Sequence, residues 1–156
     1  MDFGRVTQFL RALESENVHY VLVGAVALNV HGIVRATQDL DIFVEPEAGN
    51  VSRLKRALRS IWSDPEIDQI LYEDLAGDYA AIRYGPPGED YVIDIITRLG
   101  DAFRFHDLAA ENVSWQGMNV RVATPEMLYR MKRGTVRPVD RGDAARLQER
   151  FNLGEK

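Results

Sequence analysis

Residues 21–42, VLVGAVALNVHGIVRATQDLDI, hold two apolar, β-branched runs separated by a glycine and a helix-forming segment. The first run, taken over 18–24, is short and apolar and reads as a buried strand. Gly24 marks a turn, and 25–30 has helix-forming composition, so the chain passes from strand through glycine into a short helix. The second run, 40–44, alternates with carboxylates at Asp39, Asp41 and Glu45 and reads as a second strand. Upstream, Val6, Phe9, Leu10 and Leu13 fall on one face of an amphipathic helix. Downstream, the spacing predicts a helix over 51–62 and a further one from an Asp64 cap and Pro65 through Leu71. Strands are expected over 79–84 and 91–96 about a Gly85-Pro86-Pro87-Gly88 turn, then a hairpin over 113–115 and 119–122. Thr124-Pro125-Glu126 starts a helix, and Asp140 is placed as the cap of the last one. Interleaved helices and strands give an α/β (α+β) class, a small mixed sheet flanked by helices. One domain over 1–156 is expected, with a short C-terminal helical part at 125–152.

Composition bounds the function. Hydrophobic residues make up 46% and charged residues 28% of 156 positions, a globular balance. Nineteen basic against 24 acidic side chains leave a net charge of −5, which argues against a polybasic, histone-like binder. The chain has no cysteine, so thiol catalysis and cysteine-ligated zinc are excluded. The N-terminal MDFGRVTQFLRALESEN lacks an apolar leader core and no apolar run is long enough for a membrane span, so a soluble, cytoplasmic protein with no membrane partner is expected. No P-loop pattern and no nucleophile elbow occurs.

The acidic strand carries the chemistry. Side chains at i and i+2 on a strand share a face, so Asp39 and Asp41 stand side by side while Leu40 and Ile42 point the other way. Two adjacent carboxylates repel unless protons or cations neutralise them, and Mg²⁺ suits such oxygen ligands. A solvated strand face is the competing reading. Asp94 lies inside Tyr91-Val92-Ile93-Asp94-Ile95-Ile96, where an unpartnered carboxylate is costly. Its partner is either a metal shared with Asp39 and Asp41 or one of the arginines.

These residues resemble the polymerase-β-like nucleotidyltransferase superfamily, whose signature is an apolar strand ending in Gly-Gly or Gly-Ser, then D-x-D or D-x-E, then a third Asp on a later strand. Here Val21-Leu22-Val23-Gly24-Ala25 is followed after 13 residues by Asp39-Leu40-Asp41, and later by Asp94. The stretch from Gly24 to Ile42 and the closing Thr124-Pro125-Glu126-Met127-Leu128, Lys132, Arg137, Asp140 and Asp143 are more narrowly similar to small bacterial nucleotidyltransferases of the abortive-infection and toxin–antitoxin type. The resemblance implies a nucleotidyltransferase fold and transfer of a nucleoside monophosphate from a triphosphate to an acceptor hydroxyl on RNA (tRNA included), protein or a small molecule, with release of pyrophosphate. It implies Asp39, Asp41 and Asp94 as catalytic residues and ligands of Mg²⁺ (Mn²⁺ serving as well), and Gly24 and Ala25 as phosphate-binding residues. A cognate antitoxin-like partner follows from the same resemblance. Ala25 departs from the usual Gly or Ser: a serine hydroxyl is missing, while the backbone N–H remains. The alternative is a catalytically inactive binding or regulatory module of the same fold.

Arg35 and Thr37 precede the acidic strand and complete the nucleotide-binding candidates with Lys132. Arg35 is read either as a phosphate ligand or as a partner of Asp39 or Asp41. Lys132 is a point charge for a triphosphate or a solvated residue near a helix C-terminus. Arg137 and Asp140 read as a structural ion pair and cap. His19, His31 and His106 lack metal-ligand spacing, and only His31 neighbours the phosphate-binding segment. The basic run Lys132, Arg133, Arg137, Arg141 and Arg146 is a solvated face or a guide for RNA or nucleotide.

Overall fold

The computed structural model describes residues 1–133 and 137–153; positions 134–136, within the expected C-terminal helical part, and 154–156 lie outside the described residues. The chain opens with helix α1 (Phe3–Ser15), capped by Asp2, whose carboxylate accepts from Gly4 N at 2.8 Å. Such a cap is worth about 1 kcal/mol. Its face of Val6, Phe9, Leu10 and Leu13 is fully buried. Strand β1 (Tyr20–Val23) leads directly into α2 (Gly24–Val30), and β2 (Asp39–Val44) follows. Helix α3 spans Ala48–Arg59, starting and ending three residues before the 51–62 expected, and packs on α1.

Asp64 does cap the next segment, accepting from Glu66 N at 3.1 Å, but Pro65–Gln69 forms a 3-10 turn and not an α-helix through Leu71. A five-residue helix α4 (Tyr72–Ala76) comes next. Strands β3 (Ala81–Tyr84) and β4 (Val92–Ile96) follow, then a small hairpin of β5 (Arg98–Leu99) and β6 (Phe103–Arg104) absent from the pattern reading. The last hairpin, β7 (Ala110–Trp115) and β8 (Met118–Ala123), is longer than expected and turns at Gln116-Gly117. Helices α5 (Pro125–Arg133) and α6 (Pro138–Phe151) close the fold and pack on each other. Thr124 Oγ1 caps α5 by accepting from Met127 N. Asp140, expected as the cap of the last helix, lies inside its first turn; the cap position is Arg137, ahead of Pro138, and makes no side-chain cap bond.

The six-stranded sheet runs in the order β3-β4-β2-β1-β8-β7. Strand β2 is antiparallel to β1 and parallel to β4, β4 is antiparallel to β3, and β8 is parallel to β1 and antiparallel to β7. The result is the mixed sheet with flanking helices that interleaved elements predict. The core gathers Phe9, Leu22, Leu28, Leu40, Ile42, Phe43 and Leu54, all fully buried. Burying a large aliphatic or aromatic side chain contributes about 1.5–3 kcal/mol. Leu40 and Ile42 thereby fix the face on which Asp39 and Asp41 stand. Among the described residues no helix is long and apolar enough to cross a membrane.

Candidate functional site

Strand pairing sets a row of side chains across the sheet. Asp41 on β2 stands opposite Val23 of β1 on one side and opposite Asp94 of β4 on the other, and Asp94 stands opposite Arg83 of β3. Asp39, two residues before Asp41, shares its face. Gly24 follows Val23 with φ of +72°, a left-handed conformation that glycine adopts freely. A Cβ at Gly24 would lie 2.1 Å from Asp41 Oδ2, so the missing side chain is also what lets the Asp41 carboxylate reach the start of α2.

Val23, Gly24, Asp41, Asp94, Lys132 and Arg137 line a cavity of about 440 Å³, whose apolar wall includes Leu128 and Met131 of α5. The cavity is therefore shared between the sheet and the C-terminal helix pair. Burial, then the hydrogen bond with Asp94, then the charges of Asp94 and Asp39 push the Asp41 carboxyl up to about 7, while Lys132 opposes the shift. Arg83 grips Asp94 with two bonds, Nε to Oδ1 at 2.9 Å and Nη2 to Oδ2 at 3.2 Å. Its Nη2 also lies 3.9 Å from Asp39 Oδ2. Of the two partners open for Asp94, an arginine is the one present, with Asp41 as its other neighbour.

Lys132 reaches the cavity on a tether: Nζ lies 3.0 Å from Asp143 Oδ2 and 3.4 Å from Asp140 Oδ1. Arg35 pairs with neither Asp39 nor Asp41; its Nε donates to Asp143 Oδ1 at 3.1 Å. Asp143, 2% exposed, thus joins the loop before β2 to both C-terminal helices. Thr37 organises the start of β2: its Oγ1 accepts from Asp39 N at 3.0 Å. Ala25 is buried in the first turn of α2. Of the eight residues singled out from the sequence, Gly24, Asp41, Asp94 and Lys132 line the cavity, Asp39 lies outside the lining within reach of Arg83, and Ala25, Arg35 and Thr37 do not line it.

Arg137 pairs with Asp140 at 3.7 Å. His31 Nε2 donates to the Ala123 carbonyl at 2.8 Å and its ring packs on Phe151, which ties α2 to β8 and α6. His19 and His106 both meet Glu45, at 3.2 and 3.0 Å, on a different surface cavity. Within the basic run, Lys132 and Arg137 face the cavity, while Arg133 lies over the Tyr129 ring and Arg146 donates to the Val34 carbonyl.

Sequence reasoning missed Arg83 and gave Asp143 no role. The signal for Arg83 was the hairpin register, since β3 and β4 are neighbours in sequence and in the sheet. Among the described residues no group of three or more His, Cys, Asp or Glu side chains is arranged to hold a metal ion, and Asp94 is turned onto Arg83. The donor chemistry still suits a hard divalent cation: two carboxylates share one strand face, and the crowding that raises Asp41 is what a cation relieves.

The family model described as "Nucleotidyl transferase AbiEii toxin, Type IV TA system" matches residues 8–133. No curated protein gives a matching sequence. Among solved structures, the chain is similar to the lincosamide antibiotic adenylyltransferase LnuA, at TM-score 0.62 and 15% identity over 95% of this chain and 97% of that one. It is similar to ANT(2'')-Ia in complex with adenylyl-2''-tobramycin, at TM-score 0.58 and 14% identity over 96% and 88% of the two chains. The TM1012 protein from Thermotoga maritima matches at TM-score 0.56 and 14% identity over 96% and 91%. At such identities these three establish a shared fold. The family match covers most of the chain, including the glycine turn and all three aspartates, and with it the chain belongs to the AbiEii nucleotidyltransferase toxin family.

Proposed function

We propose that the protein is a Mg²⁺-dependent nucleotidyltransferase that moves a nucleoside monophosphate from a nucleoside triphosphate to an acceptor hydroxyl. One observation carries this reading: Asp41 and Asp94 stand at paired strand positions beside Gly24 on the wall of one cavity, with Asp39 on the same strand face as Asp41. Asp39 and Asp41 would hold the cation. Its chemistry there is neutralisation of the carboxylates and stabilisation of charge on the attacking and leaving oxygens.

The chain's own residues do the rest. The bare Gly24 lets the Asp41 carboxylate stand against the start of α2, and Lys132, held by Asp143 and Asp140, offers a positive charge to the phosphates. The acceptor oxygen forms a bond to the α-phosphorus as the bond to the bridging oxygen of pyrophosphate breaks, and the acceptor proton passes to Asp94. Positioning supplies much of the rate. The acceptor is RNA, a protein or a small molecule, and the toxin–antitoxin description of the family supports a cognate antitoxin-like partner. Calorimetric titration of each nucleoside triphosphate with Mg²⁺, followed by pyrophosphate release and transfer of α-labelled phosphate to candidate acceptors, tests the reading. Wild type should bind and transfer, and Asp41→Asn should do neither. A well-folded wild type that binds no triphosphate would leave the inactive binding module, a reading favoured by Asp94 being taken up by Arg83.

A further inference from the structure

The three carboxylates are faced by a cation of the chain itself. Arg83, Asp94 and Asp41 occupy one row across three adjacent strands. The guanidinium grips Asp94 in a bidentate arrangement at 2.9 and 3.2 Å, and reaches to within 3.9 Å of Asp39. Arg83 sits on β3, the edge strand, with its side chain 64% exposed, whereas Asp94 is only 18% exposed. The guanidinium has open solvent to move into, while the carboxylate it holds does not. Lys132, the basic side chain that opposes the Asp41 shift, is itself held by Asp140 and Asp143.

We propose that Arg83 is a resident counter-ion of the carboxylate cluster, which lowers cation affinity and is displaced from Asp94 when a divalent cation binds. The inference rests on the function proposed above and adds an internal brake to it. A guanidinium and a divalent ion attracted to the same carboxylates repel each other, so each weakens the hold of the other. Exposed ion pairs break readily, as water replaces what they lose. Arg83 is thus a positioning residue that acts through Asp94.

Binding of Mn²⁺ alone to the full chain, followed by loss of the free-ion paramagnetic resonance signal, tests this. Arg83→Gln should bind Mn²⁺ about tenfold more tightly than wild type, the order expected for removing a unit charge a few ångströms from a divalent ion near the surface. Arg83→Met, also neutral, should behave like Arg83→Gln, and Arg83→Lys, which keeps the charge, like wild type. The gap should narrow as salt is raised. A purely structural ion pair predicts lower thermal stability with unchanged Mn²⁺ affinity. Equal or weaker binding by both neutral variants, or Arg83→Lys binding as tightly as they do, overturns the proposal. Binding that Asp41→Asn abolishes but that is the same in wild type and Arg83→Gln removes the brake and leaves the nucleotidyltransferase reading standing. If no variant binds Mn²⁺, both fall.

Discussion

Gly24→Ala tests whether the glycine turn exists for the sake of Asp41. Two costs are separable. The residue has φ of +72°, and placing an L side chain there costs about 1–2 kcal/mol. The new Cβ would also stand 2.1 Å from Asp41 Oδ2, so the carboxylate must retreat by roughly 1 Å against its packed surroundings. Forced repacking of this kind costs about 1–3 kcal/mol, for a total of about 3 kcal/mol. Gly88→Ala is the matched control: φ is +79°, yet nothing lies within 4 Å of a Cβ there, so it should show the backbone cost alone. In a domain of this size 1 kcal/mol shifts Tm by about 2–4 °C, which predicts losses of about 6–12 °C for Gly24→Ala and about 2–8 °C for Gly88→Ala. The assay is thermal and urea unfolding, repeated in an Asp41→Ala background, where the excess cost at Gly24 should vanish. Gly24→Ala should also lose Mg²⁺-dependent nucleotide binding, because the displaced carboxylate is a proposed ligand. Equal losses at the two glycines, or an excess that survives in the Asp41→Ala background, would refute the close-approach argument.

Three further outcomes are expected. Asp41 titrates near 7 instead of near 3.8, so in the cation-free protein the folded state holds a proton that the unfolded chain releases between those values. Its contribution is therefore intact below about pH 4 and lost as pH rises through 7, by up to about 4 kcal/mol. Urea midpoints at pH 5 and pH 8 should show Asp41→Asn gaining on wild type at the higher pH, and a constant difference would contradict this. Asp143→Ala strips a buried carboxylate from both Arg35 and Lys132, and breaking a buried pair costs about 3–5 kcal/mol. Denaturant unfolding should show a loss of that order, and one below about 1 kcal/mol would mean that α6 is held without it. Expression of wild type in a bacterial host without an antitoxin should arrest growth, and Asp94→Asn should not; arrest by both would detach toxicity from the proposed chemistry.

What was legible in the sequence follows from the range over which each feature is determined. The face shared by Asp39 and Asp41 is a local property, because strand periodicity and the apolar Leu40 and Ile42 leave one orientation. The glycine turn is local in its backbone, whose positive φ favours glycine, whereas the close approach of Asp41 depends on the pairing of β1 with β2. Asp94 called for more, namely the parallel pairing of β2 with β4, and its apolar context stood in for that knowledge. Arg83 required the register of a hairpin. A tight turn over residues 85–88 would set Arg83 against Asp90, but the observed partner is Asp94, because the connection between the paired Tyr84 and Ile93 also takes in Glu89, Asp90, Tyr91 and Val92. Glu89 and Tyr91 are held out of the strands by distant residues. Arg5 and Trp62 both bond the Glu89 carboxylate, at 2.5 and 2.9 Å, and Tyr91 is buried beside them. The carboxylates of this site were thus readable from short-range pattern. The charge that balances them was not, because α1 and the segment after α3 hold Glu89 in the connection whose length aims Arg83 at Asp94.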